Sequence, residues 1–364
     1  MEVEILTENI ERHLPVLLRM LPSHSQVPIL GNILLLADSN GFFVKATDLE
    51  IGVIIKIPAK INKEGSLTVP GKEFIEAVSN LPKDKVLFSE DKEKLRISVR
   101  GNKLSFQTLS ALEFPELMKT KGEKIISLKK DAFDSLFDHL AFSVSTDDIR
   151  PHLTGVYVVK KDSGVDLVTT DGYRLTVKSV GNSVVSKITD PIIISMQVIN
   201  EAMNIKSDSV DMYVNSDENQ VVFEGGEVTL VGRIIDGKFP PYEKAIPQSS
   251  KTKIIVDREG FIQEGRLASV FAKDQSNIVN MTIEDSQVKL SSKTSGVGEG
   301  EFVVDCEKEG EDNSIAFNIR YLMDALKNFE GDRISIEING PLQPALFSDN
   351  KNSFKHVIMP IKAD

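Results

Sequence analysis

Leu167-Val168-Thr169-Thr170-Asp171-Gly172-Tyr173-Arg174-Leu175-Thr176-Val177 reads as two strands hinged on a tight turn. β-Branched residues favour the strand on either side. Asp171-Gly172 supplies the turn, because glycine reaches positive φ freely and aspartate bonds its own backbone. The chain carries an earlier echo, Val44-Lys45-Ala46-Thr47-Asp48-Leu49-Glu50-Ile51-Gly52-Val53. Two copies of strand, Thr-Asp, strand, set a domain length apart, predict a protein built from repeated units.

At 364 residues the chain is too long for one ordinary core, so two or three domains are expected. A hydrophobic content of 41% with 27% charged residues describes a folded, soluble protein. No apolar run approaches the ~18 residues of a membrane span, and Met1-Glu2-Val3-Glu4-Ile5 lacks the basic start of a signal peptide. The single cysteine, Cys306, excludes an internal disulfide and fits a reducing cytoplasm. The net charge of −11 argues weakly against a nucleic-acid partner. No part of the chain is a basic tail, so any DNA-binding surface must be assembled by folding.

Periodicity divides the chain into three similar passes. The first starts with a helix over Thr7–Leu21, with Thr7 as N-cap and a kink at Pro15. Strands Ile33–Ala37, Phe42–Ala46, Ile51–Ile57 and Ser66–Val69 follow, then a helix Lys72–Asn80, then strands Val86–Ser89, Leu95–Arg100 and Leu104–Leu109. The second pass has helices Lys129–Ala141 and Gln197–Ile205, and the third Arg258–Phe271 and Ile319–Phe329, each with strands in the same order. The final strand is read as Lys355–Ile361. The expected domains are therefore 1–120, 121–247 and 248–364, joined through Glu113–Glu123 and Lys238–Thr252. Two amphipathic helices on antiparallel sheet make the fold class α+β.

No catalytic constellation is visible. The histidines His13, His24, His139, His152 and His356 show no metal-ligand spacing. Pro70-Gly71-Lys72-Glu73 lacks the rest of a phosphate loop, and Gly296, Gly298 and Gly300 read as a strand-joining loop. Asp171 and Arg174 read as a turn aspartate and a rim arginine. The expectation is a non-enzyme with neither metal nor cofactor.

Several stretches, taken together and in order, resemble the bacterial DNA polymerase III beta subunit family of sliding clamps. They are Val27-Pro28-Ile29-Leu30-Gly31-Asn32, Ala46-Thr47-Asp48-Leu49-Glu50, Thr170-Asp171-Gly172-Tyr173-Arg174-Leu175, Asp236-Gly237-Lys238-Phe239-Pro240-Pro241-Tyr242, Phe317-Asn318 and Val357-Ile358-Met359-Pro360-Ile361. The resemblance implies three clamp domains per chain and a head-to-tail homodimer closed into a ring around duplex DNA. Twelve helices would line the hole, with sheets outside. It implies a processivity factor that tethers the polymerase catalytic subunit, and that also receives the clamp loader and repair and translesion factors through short peptide motifs.

Carried over to this sequence, the peptide groove would use Leu153, Thr170, Gly172, Tyr173, Arg174, Leu175, Pro240, Lys244, Leu342, Pro344, Val357, Ile358, Met359, Pro360 and Ile361. Apolar walls with an adaptable methionine suit a Leu or Phe anchor. Tyr173 and Lys244 replace the His and Arg of some relatives. The DNA-facing cations would be Arg12, His13, Arg19, Lys129, Lys130, Lys206, Arg258, Arg266, Lys273, Arg320 and Lys327. Arg150 and His152 join them from the loop Ser145–Leu153, where Pro151-His152 replaces an aromatic pair. Their contacts would be sequence-blind phosphate contacts. Leu104 and Phe106 with Val270 and Phe271 align with the subunit contact. The rival from another class is a threefold repeat scaffold that binds proteins but not DNA; it requires these cations to scatter outward.

Overall fold

The computed structural model describes residues 1–24, 26–181, 188, 190–272, 277–349 and 353–362. Its first repeat runs β1 (Glu2–Leu6), α1 (Thr7–Glu11), α2 (Leu14–Arg19), β2 (Asn32–Asp38), β3 (Gly41–Thr47), β4 (Ile51–Ile57), β5 (Ala59–Lys63), β6 (Gly65–Pro70), α3 (Gly71–Ser79), β7 (Lys85–Glu90), β8 (Lys94–Val99) and β9 (Asn102–Gln107). The second runs β10 (Glu123–Lys129), α4 (Lys130–Ala141), β11 (Gly155–Lys161), β12 (Gly164–Thr170), β13 (Arg174–Gly181), β14 (Ile192–Ser195), α5 (Met196–Met203), β15 (Ser209–Asn215), β16 (Gln220–Gly225) and β17 (Val228–Arg233). The third runs β18 (Thr252–Asp257), α6 (Arg258–Ala272), β19 (Ile278–Glu284), β20 (Gln287–Thr294), β21 (Gly298–Gly310), β22 (Asn313–Asn318), α7 (Ile319–Asn328), β23 (Arg333–Ile338), β24 (Ala345–Ser348) and β25 (Phe354–Ile358).

The chain gathers into two compact units, Met1–Phe133 with Gln197–Ile234, and Asp134–Met196 with Ile235–Asp364. The first holds two antiparallel sheets, ordered β5-β1-β7-β8-β9 and β10-β15-β16-β17-β4-β3-β2-β6. The second holds one, ordered β14-β11-β12-β13-β25-β24-β23-β18-β21-β20-β19-β22. In each unit the repeats are sewn together by one strand pair. β17 lies antiparallel to β4, with Val231 opposite Gly52. β25 lies antiparallel to β13, with Val357 opposite Leu175. Strand pairing removes an exposed edge at each seam.

The helical faces bury as their spacing demands. Phe133, Leu136, Phe137 and Leu140 of α4 are all buried, each full aromatic burial stabilising by about 2–3 kcal/mol. In the third repeat, α6 buries Phe261, Ile262, Gly265 and Ala268 while α7 buries Leu322, Met323 and Leu326. A Cβ at Gly265 would meet Met323 Sδ at 2.5 Å, so a larger residue there would force that flexible side chain to shift.

Several expectations need correction. The helix over Thr7–Leu21 is two short helices broken at Arg12-His13, with Pro15 in the first turn of α2, where a missing donor costs nothing. Thr7 is not the N-cap. Leu6 occupies that position, and the Thr7 hydroxyl donates to Pro82 O and Asp84 O instead. Each repeat opens with a strand that periodicity missed, β1, β10 or β18, because the alternation runs straight into the following helix. Gly298 and Gly300 belong to β21, opposite Thr294 and Ser292, not to a loop. The last strand also stops early, at Ile358, leaving Met359–Ile361 as irregular chain.

Candidate peptide groove and nucleic-acid interface

The turn between β12 and β13 is fixed by its own side chains. Thr170 Oγ1 donates to Arg174 O at 2.6 Å and accepts from Gly172 N at 3.0 Å. Asp171 Oδ1 accepts from Tyr173 N and Arg174 N at 2.9 and 3.0 Å. Gly172 has φ +93°, which explains glycine there. The chain leaving β25 closes the turn, since Met359 N donates to Tyr173 O at 2.9 Å.

Arg174 is not on a rim. Its Nε donates to Asp171 Oδ2 at 3.0 Å and its Nη1 to Asp324 Oδ2 at 2.7 Å. The guanidinium lies 4.4 Å from the Tyr321 ring centre and 5.4 Å from that of Phe142. Held between two rings and two carboxylates, it positions the turn without offering a free charge. Beneath it His356 is fully buried, with Nδ1 2.9 Å from Thr176 Oγ1. Burial, reinforced by the Arg174 charge, holds its imidazole pKa down at about 3.

Around this turn the proposed groove residues divide by exposure. Leu153, Leu175 and Val357 are buried and join Leu346, Phe239 and Tyr242 in the apolar ground below, while Ile358 is buried in the core of the third repeat. Thr170 is buried as part of the turn. Tyr173, Leu342, Met359, Pro240 and Lys244 are exposed, while Pro344, Pro360 and Ile361 are half-buried. An exposed tyrosine and methionine above buried leucine and valine make a surface ready for an apolar side chain. Leu346, Phe239 and Tyr242 were missed as participants. The Phe-Pro pairs at 114–115 and 239–240 were the available signal, because both lead into a seam.

The cations predicted to face DNA divide more sharply. Arg12 pairs with Glu227 at 2.5 Å and Arg19 with Glu201 at 2.8 Å. His13 is buried and sits 2.9 Å from the same Glu227, and desolvation lowers its pKa, so it is not a solvated contact. Arg258 donates to Gly331 O and pairs with Glu259. Lys130 Nζ donates to Met203 O at 2.6 Å. Arg150 pairs with Asp147 and reaches Asp171 O at 3.4 Å, which brings it to the groove turn, and His152 lies half-buried against Gly237. Lys273 lies outside the described residues. Lys129, Lys206, Arg266, Arg320 and Lys327 are exposed. Arg320 and Lys327 share one face of α7 by their spacing. Arg12, Arg19 and Lys206 border a cavity of about 530 Å³.

At the sheet edges, β9 pairs with β8 alone among the described strands. Leu104 and Phe106 are half-buried there, Phe106 lying edge-on to Phe74 at 6.1 Å. Val270 is exposed on α6, and Phe271 stacks on Phe302 of β21 at 6.2 Å. Among the described residues, no cluster of His, Cys, Asp or Glu could hold a metal ion, and no helix is long and apolar enough to cross a membrane. Burial raises the pKa of the half-buried Cys306 thiol, which lowers its reactivity.

Models of the N-terminal, central and C-terminal domains of the DNA polymerase III beta subunit match residues 1–118, 127–241 and 243–362, in that order. The chain belongs to the DNA polymerase III beta subunit family. It is similar to the beta sliding clamp of Bacillus subtilis strain 168, with 29% identity over 362 residues and 95% of each chain covered. It is 28% identical over 354 residues to that of Synechococcus elongatus, covering 94% of each. The crystal structure of the DNA polymerase sliding clamp from Bacillus subtilis matches with a TM-score of 0.91 at 26% identity, over 100% of both chains. Its fold is three tandem clamp domains. Membership of the sliding-clamp family makes the chain an accessory processivity factor and not a catalyst.

Proposed function

We propose that two copies of this chain join head to tail into a ring that encircles duplex DNA and holds the replicative polymerase on it. The observation that carries this reading is the rule of the seams. The last strand of the second repeat pairs with β4 of the first, and the last strand of the third pairs with β13 of the second. Among the described residues the last strand of the first repeat, β9, has one partner, and Gly298–Asp305 of β21, the counterpart of β4 and β13, pairs only with β20. Repeating the rule joins β9 of one copy to β21 of another, near Phe106, Val270 and Phe271. A heterologous contact of this kind covers both of these open edges once it closes.

The groove formed by Tyr173, Leu175, Val357 and Met359 takes an apolar anchor of a partner peptide from the polymerase, the clamp loader or repair and translesion factors. Lys129, Lys206, Arg266, Arg320 and Lys327 hold phosphates without reading bases. Such a partner set places the protein in the cytoplasm. The test is retention on DNA after loading: protein should stay on a closed circle and run off the same DNA once it is linearised. Equal loss from both would refute a topological link.

A further inference from the structure

The strand pair β13·β25 has two faces. Leu175 and Val357 lie opposite each other and belong to the groove cluster. One step along, Thr176 and His356 are also opposite each other, and alternation turns them to the other face, where Phe354 and Ile358 are buried. That face carries a chain of polar side chains, all fully buried. His356 Nδ1 lies 2.9 Å from Thr176 Oγ1, which lies 2.6 Å from Ser143 Oγ. Ser143 Oγ is 2.6 Å from Thr169 Oγ1, and Thr169 Oγ1 donates to Leu140 O at 3.1 Å.

These four contacts need four hydrogens. The three hydroxyls supply one each, so the fourth is His356 Nδ1–H, and the chain runs one way, from the imidazole to the carbonyl. The imidazole is neutral, which leaves Nε2 a bare lone pair, buried with no hydrogen-bond partner among the described residues. An unmet buried acceptor lowers stability, so stability does not explain a histidine here. Register does. A slip of β25 by two residues preserves the face to which each side chain points. It would bring Met359 opposite Leu175, one apolar group for another, and Ile358 opposite Thr176. Apolar burial hardly resists that slip. The hydroxyl chain does, because an isoleucine side chain has no N–H to give.

We infer that His356 is a positioning residue of the peptide groove: its Nδ1–H, given to the buried hydroxyl chain, holds β25 in the register that sets Val357 beside Leu175 and Met359 beside Tyr173. The inference rests on reading this seam as the peptide groove. His356 touches no peptide itself; it acts through Val357 and Met359, its neighbours along the chain. A buried polar group that fixes register at a cost in stability has its parallel in the core asparagines of coiled coils.

The experiment compares His356→Leu and His356→Asn in the full chain. It reads anisotropy of a fluorescein-labelled, acetylated pentapeptide ending in Leu-Phe, thermal melting, and amide hydrogen exchange across 354–359. His356→Leu leaves each remaining hydroxyl its acceptor, so it should melt no lower than the wild type. It should nonetheless bind the peptide about tenfold more weakly and exchange faster. His356→Asn keeps an N–H at the same point of its side chain and should restore both. Unchanged affinity in His356→Leu would overturn the inference, as would an affinity loss that follows a lowered melting temperature in both variants. Met359→Ala tells this apart from the groove itself. If that variant binds as the wild type does, the groove reading fails and exchange alone decides the register: faster in His356→Leu than in His356→Asn upholds it, and equal rates overturn it.

Discussion

Two side chains in the second seam make opposite demands on their surroundings. Met359 is 41% exposed above buried Leu175 and Val357, so it is free to move onto a ligand. Met359→Ala should cost about 2 kcal/mol of peptide binding, roughly thirty-fold in affinity, with folding unchanged. Anisotropy of a Leu-Phe peptide against the variant checks this, and unchanged affinity would reject the groove. His356 is the contrary case, fully buried and neutral. Its pKa falls from 6.5 to about 3 on folding, so the unfolded chain takes up a proton first as pH drops. Its contribution to stability is therefore intact above pH 6.5 and drains away as pH falls from there towards 3. His356→Asn keeps a polar partner for Thr176 without the titration. Urea melts at pH 7 and pH 5 should show a smaller fall for the variant; equal falls would assign the pH dependence to other groups.

The elements were legible where periodicity is clean, and illegible where two structures run together. Strand Ile51–Ile57 was read to the residue, and Phe42–Ala46 to within one residue at each end. Glu2–Leu6 was lost because its alternation passes without a break into Thr7. The groove turn was readable from Thr-Asp-Gly alone. The pairing of Arg12 with Glu227 and of Arg174 with Asp324 was not, because partners so distant in sequence leave no local trace. At this scale the edge strand β9 carries its own prediction. Phe106→Asp should yield monomers by sedimentation, as a charge at a closed strand contact is left unpaired. Losing its edge-on pair with Phe74 costs about 1 kcal/mol beyond the area the ring buries, and Phe106 is only half-buried, so the domain should stay folded. A dimer that persists would exclude β9 as the contact.

For the whole molecule, the balance of charge decides how DNA is held. A net charge of −11 leaves little long-range attraction to phosphate, and Arg12, Arg19 and Arg258 already have carboxylate partners. The grip should therefore come from few cations and be weak and salt-sensitive, as sliding requires. Replacing Lys206, Arg266, Arg320 and Lys327 by alanine should flatten the dependence of log affinity on log salt by about 0.9 for each phosphate no longer neutralised. Filter binding across a salt series measures the slope, and an unaltered slope would move the DNA surface elsewhere. The rival scaffold reading predicts no slope to flatten.

The strand pair β13·β25 also bears on how the chain is made. β13 must wait through the synthesis of the entire third repeat before β25 arrives to cover it. Until then the middle repeat shows newly made neighbours a bare row of amides and carbonyls, a template for sticking to the wrong chain. A nonsense codon shortly before Phe354 would therefore do more than remove the groove: it would leave that row permanently uncovered, and the shortened product should collect in inclusion bodies.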